Sequence, residues 1–152
     1  MTASNTVAQQ LQALPSNARF SDEELDVVYA MAFHALTQAQ YLQALRYFAF
    51  LTLYRPTGVD YLAGLALSQQ HLHQYTAAIG TNTLLELLYP ATAAAAAASL
   101  RVAECQLAQE HRDAARLTLE LSVTAYAEVA GAAPSLARAS ALLELISNTA
   151  AA

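Results

Sequence analysis

Two stretches of this chain copy each other at a fixed interval, and few folds tolerate such a pattern. Tyr41 and Tyr75, Ala44 and Ala78, and Pro56 and Pro90 each stand 34 residues apart. The windows Gln40-Tyr41-Leu42-Gln43-Ala44 and Gln74-Tyr75-Thr76-Ala77-Ala78 match in residue type around the first two anchors. Each proline lacks an N–H donor and so stops the helix before it. A repeat of this length, with small residues at set positions and a proline at its end, describes a pair of antiparallel helices.

The interval is the tetratricopeptide period. One such pair cannot cover its own apolar face and must stack on the next, so the expected fold is all-α, a tetratricopeptide-repeat superhelix. The first repeat is expected at about 25–57, the second at about 58–92 and a weaker third at about 96–127. In the third, Ala103 and Ala115 take the small packing positions and Leu119 stands where an aromatic is usual. The step from Ala78 to Ala115 is 37 residues, which calls for a three-residue insertion in the alanine-rich stretch.

The ends of the array carry their own signals. Ser21 followed by Glu24 is a capping box, and Phe20 is placed to staple onto Leu25, so the repeat domain is expected to span 21–152. Before it, residues 1–20 place Val7, Leu11 and Leu14 on one face of a short helix that ends at Pro15. After the repeats, Pro134 opens a closing helix at 134–147, where Leu136, Leu143 and Ile146 would cover the last repeat.

In stacked pairs the first helix of each pair lines the concave face, and residues three or four apart on it point inward. That selects Tyr29, Phe33 and Leu36 in the first pair, Ala63, Leu67 and Gln70 in the second, and Leu100, Glu104 and Leu107 in the third. An aromatic groove suits an extended, proline-containing peptide, because tyrosine buries a ring while its hydroxyl can bond a peptide backbone. The alternative is that Tyr29 and Phe33 pack against the N-terminal segment or the next helix.

Composition narrows the partner. All seven basic residues are scattered arginines and the net charge is −5, so there is no basic stripe to neutralise phosphates and no nucleic-acid partner is expected. Hydrophobic residues make up 56% of the chain against 12% charged, which implies that some apolar surface meets a partner. The uncharged run from Pro90 to Leu100 is mostly alanine and too short to span a bilayer, so no membrane insertion is expected. A lone Cys105 and the lack of a leader-like opening point to a reducing cytoplasm.

No catalytic residue, metal or cofactor is expected. His71 and His73 are two apart and would not face one another on a helix, and no further ligands join them. The acidic turn of Asp22, Glu23, Glu24 and Asp26 is accounted for by the helix macrodipole. Cys105 reads as a buried thiol, and the four glycines are too dispersed to cradle a phosphate.

Several segments go beyond the repeat pattern: Tyr29, Ala32-Phe33 and Tyr41; Tyr61-Leu62-Ala63-Gly64-Leu65 followed by Gln74-Tyr75; and Ala103-Glu104-Cys105 with Ala114-Ala115. Over about 21–146 they resemble the class II type III secretion chaperones for translocator proteins. The resemblance implies a bacterial cytoplasmic chaperone that binds hydrophobic translocators through a Pro-x-Leu-x-x-Pro segment and keeps them secretion-competent. It also implies that Tyr41 joins Tyr29 and Phe33 as a groove aromatic, and that Val7, Leu11 and Leu14 form the interface of a homodimer. The chain departs from the family at Leu36 and Asn82, where aromatics are frequent, and at Ala39 and His73, which replace turn glycines. A different function from the same fold would be a scaffold bridging folded partners in another complex.

Overall fold

A computed structural model of the chain describes residues 20–150, with side chains through 149. The expected N-terminal helix with Val7, Leu11 and Leu14 lies outside the described residues. Among them are seven helices and no strand: α1 Asp22–Thr37, α2 Tyr41–Tyr54, α3 Val59–His71, α4 Tyr75–Leu88, α5 Ala93–Ala108, α6 Arg112–Ala125 and α7 Ala133–Ala150.

The start of α1 is built as its side chains dictate. Ser21 Oγ accepts from the Glu24 N–H at 3.2 Å, and Glu24 Oε2 accepts the Ser21 N–H at 2.8 Å. Two of the four N–H groups that a helix leaves unpaired at its N-terminus are thereby satisfied. Phe20 joins the cluster around Leu25 and reaches further, meeting Phe50 and Tyr54 edge-on at 5.4 and 4.7 Å between ring centres. The staple therefore fastens α1 to α2.

The turn inside each pair has one design used three times. Ala39, His73 and Glu110 adopt left-handed backbone with φ of 57°, 59° and 63°. The N–H groups of Gln40, Gln74 and His111 reach back to the carbonyls of Ala35, Gln69 and Gln106 at 2.8–2.9 Å. The N–H groups of Ala39, His73 and Glu110 reach those of Leu36, Gln70 and Leu107 at 3.0–3.1 Å. These are Schellman motifs, in which glycine is usual because a Cβ crowds the left-handed conformation. Here none of the three is glycine.

The chain divides into two compact units after Thr81, inside α4, whereas the sequence pointed to one repeat domain over 21–152. In repeat arrays each element contacts only its neighbours, so a boundary can fall within a repeat. The first unit packs α1, α2 and α3 on Leu25, Ala32, Ala35, Ala44, Phe48 and Leu51. Gly64 of α3 is pressed onto the Phe48 ring: a Cβ there would lie 2.3 Å from two of its carbons. Only a residue without a side chain fits.

The second unit packs α5, α6 and α7 on Leu100, Ala103, Leu119 and Ala139, closed by Val123, Leu142, Leu143 and Ile146. Thr92 caps α5, its Oγ1 accepting from Ala95 N–H at 3.1 Å. At 16 residues against 13 for α3, α5 absorbs the three extra residues as added helix. Cys105 is fully buried, and burial pushes its thiol up to about 11, which keeps it protonated.

Candidate binding site

The rings of the first unit meet around Tyr29. This half-buried residue of α1 lies 6.4 Å from Phe33, 6.2 Å from Phe48 and 5.6 Å from Tyr61 of α3, measured between ring centres. Phe48 seals the inner side. Phe33, one helical turn beyond Tyr29, is 54% exposed, the only exposed phenylalanine among the described residues. Leu36 continues the row and packs partly on the same core, while Ala63, Leu67 and Gln70 are half-buried on α3.

Tyr29 and Tyr61 border a cavity of about 390 Å³ whose other walls include Asp22, Asp26, Arg55, Asp60 and Thr57. Arg55 Nη2 bonds Asp22 Oδ1 at 2.9 Å, tying the end of α2 to the start of α1. Burial raises the pKa of both tyrosines, with Asp60 adding to the effect at Tyr29 and Asp26 at Tyr61. Both hydroxyls therefore keep their protons and can donate a hydrogen bond.

Not every residue selected from the sequence joins this face. Tyr41 lies flat on His71, with ring centres 4.1 Å apart and 4° between planes, and borders a separate cleft of about 710 Å³ with Met31, His34, Leu42, Arg46 and Tyr47. It is thus fixed at the turn end of the pair, apart from the Tyr29 cavity. Leu100, expected in the groove, is only 7% exposed and belongs to the core of the second unit with Ala103, Leu119 and Ala139. Its alanine neighbours leave it room to sink inward. Glu104 is half-buried and holds Arg138 of α7 at 2.7 Å, an internal ion pair between α5 and α7.

The sequence reading passed over Tyr61 as a site residue. It sits off the row through Ala63, Leu67 and Gln70, and only the packing of α3 on α1 brings it to Tyr29. Among the described residues no group of three His, Cys, Asp or Glu side chains could hold a metal ion, and no helix is long and apolar enough to cross a membrane.

No protein-family model and no curated protein matches the chain. Solved structures do. PcrH from Pseudomonas aeruginosa superposes with a TM-score of 0.77 at 22% identity, covering 88% of this chain and 99% of that one. The fold is that of the type III secretion translocator chaperones. SycD from Yersinia enterocolitica, solved in complex with a peptide of the translocator YopD, matches with a TM-score of 0.75 at 22% identity over 86% of this chain and 98% of its own. The TPR2AB domain of yeast Sti1, in a complex with pHSP90, reaches 0.76 at 18% identity, covering 93% of this chain and 54% of that one. Helix pairs of the tetratricopeptide type are common to all three.

Proposed function

We propose that this protein is a type III secretion chaperone that binds a hydrophobic translocator through an extended segment laid on the inner face of α1 and α3. The observation that carries this reading is Phe33, an exposed ring beside Tyr29 on the helix that such repeats turn toward their ligand. The fold supports it, as do the PopD, PopB and YopD segments bound by PcrH and SycD. Tyr29, Phe33, Leu36, Ala63, Leu67 and Gln70 form the proposed face; Leu100 is withdrawn from it. A Pro-x-Leu-x-x-Pro segment would set its proline rings against the flat aromatic faces and lose little entropy in doing so.

The mechanism is binding without chemical turnover. Covering the client's apolar segments prevents their aggregation or premature insertion, and release follows engagement by the export apparatus. A cytoplasmic location and a homodimer through Val7, Leu11 and Leu14 complete the proposal. The likeness to the Sti1 domain favours a second reading, a scaffold bridging folded partners in another complex.

Fluorescence anisotropy with a labelled Pro-x-Leu-x-x-Pro peptide tests the face directly. Tyr29→Ala and Phe33→Ala should each weaken binding by about tenfold, the range of a buried aromatic anchor. Equal affinity for the wild type and both variants would remove these rings from the site.

A further inference from the structure

We propose that the cavity between the N-terminal ends of α1 and α3 is a subsite for a lysine or arginine side chain of the bound client segment. The inference rests on the peptide-binding reading above and adds a charge preference to it.

The walls match both halves of such a side chain. Tyr29 and Tyr61, 5.6 Å apart, put two aromatic rings in the cavity wall, a surface suited to an aliphatic stem and to the cation it carries. Asp22, Asp26 and Asp60 stand around the same space of about 390 Å³. One cation is already held there: the Arg55 side chain is only 25% exposed and its guanidinium bonds Asp22 at 2.9 Å. Arg55 neutralises one of the three carboxylates. Among the described residues neither Asp26 nor Asp60 takes part in an ion pair, so the cavity keeps an excess of negative charge.

Position links the cavity to the client. Tyr29 is both its wall and the neighbour of exposed Phe33, so a segment laid across Phe33 passes the mouth of the cavity. An acidic client residue would meet Asp26 and Asp60 and be repelled. A basic one would exchange water for two carboxylates and two rings.

The test uses labelled synthetic peptides that share the Pro-x-Leu-x-x-Pro pattern and differ in one residue. A single lysine is moved through each flanking position, and a peptide with glutamine at all of them is the reference. At one position lysine should bind about fivefold more tightly than glutamine, the combined effect of a cation–π contact and partly screened charges. That gain should vanish in Asp26→Asn/Asp60→Asn, shrink in high salt, and grow in Arg55→Gln, which frees Asp22. The glutamine peptide should bind the wild type and the Asn double variant alike, which reports an intact face. A face that binds the glutamine peptide but gains from lysine nowhere, or gains equally in the double variant, overturns the subsite alone. Failure of every peptide to bind overturns the peptide-binding face and the subsite with it.

Discussion

The two units solve the same packing problem with different side chains. In the first, Phe48 lies in the core of α1, α2 and α3 with the Tyr29 ring against it, and rings at Phe20, Phe50, Tyr54 and Tyr61 pack on the same core. In the second, Leu119 stands at the position of Phe48, and alanines at 95, 96, 98, 103, 115 and 139 let the helices approach closely. Phe20, Tyr29, Phe33, Phe48, Phe50, Tyr54 and Tyr61 form a run of ring pairs within the first unit. Large rings bury much area but leave edges and faces at the surface, where a partner can use them. The second unit exposes leucines instead, at 84, 87, 117, 121 and 145, so the two surfaces differ in the kind of apolar group they show.

The comparison breaks most readily at its centre. Phe48→Ala should lower stability by about 4 kcal/mol in urea denaturation, and Leu119→Ala by about 3 kcal/mol, since a lost ring leaves the larger cavity. A greater loss at Leu119 would place the main anchor in the second unit. Gly64→Ala should cost about 1–3 kcal/mol because its Cβ would strike the Phe48 ring. Gly80→Ala, where a Cβ meets nothing within 4 Å, should instead stabilise by about 0.5–1 kcal/mol, as expected for an open helical site.

A titration distinguishes the second unit. Burial pushes the half-buried Glu86 carboxyl up to about 7; burial also raises the Tyr126 hydroxyl, with the Glu86 charge adding to it. A carboxyl whose folded pKa is raised contributes stability that is full below its ordinary value of 4.5 and is lost as pH rises through about 7. Glu86→Gln should therefore stabilise the protein at pH 8 by about 1 kcal/mol, a figure reduced for partial solvation, and do little at pH 4. An unchanged pH profile of thermal unfolding would remove Glu86 as a source of strain. The smallest effect should be shared by the two units: Ala39→Gly and Glu110→Gly each relieve the same left-handed turn and should add about 0.5–1 kcal/mol. Unequal gains would mean that the turns differ in more than backbone.

Much of the architecture can be read from local chemistry. Ser21 with Glu24, Pro56, Pro90 and the recurrence of Tyr41 at Tyr75 each act within a few residues, so helix ends and pairing follow from them. The proposed face was legible only where one helix supplied it, as with Tyr29 and Phe33. Tyr61 and the three aspartates come together from α1 and α3, segments that no spacing rule joins. Leu100 fits the inward row by number, yet the alanines around it let neighbouring helices close over it. The stacking of Tyr41 on His71 likewise depends on how two pairs meet, and neither residue announces the other.

The second and third pairs share a bond that the first lacks. Thr81 Oγ1 donates to Gln69 Oε1 at 2.8 Å, and Thr118 Oγ1 to Gln106 Oε1 at 2.9 Å, each joining the two helices of a pair. Such a bond has direction, and it pins one helix against sliding along the other. The matching positions of the first pair are Ala35 and Tyr47, and the alanine has no oxygen to accept such a bond. There the Arg55–Asp22 bond and the Phe20 ring on Phe50 and Tyr54 tie α1 to α2 instead. The helix that presents Tyr29 and Phe33 is thus anchored at its first turn by charge and by rings, where the later pairs are pinned by a neutral side-chain bond.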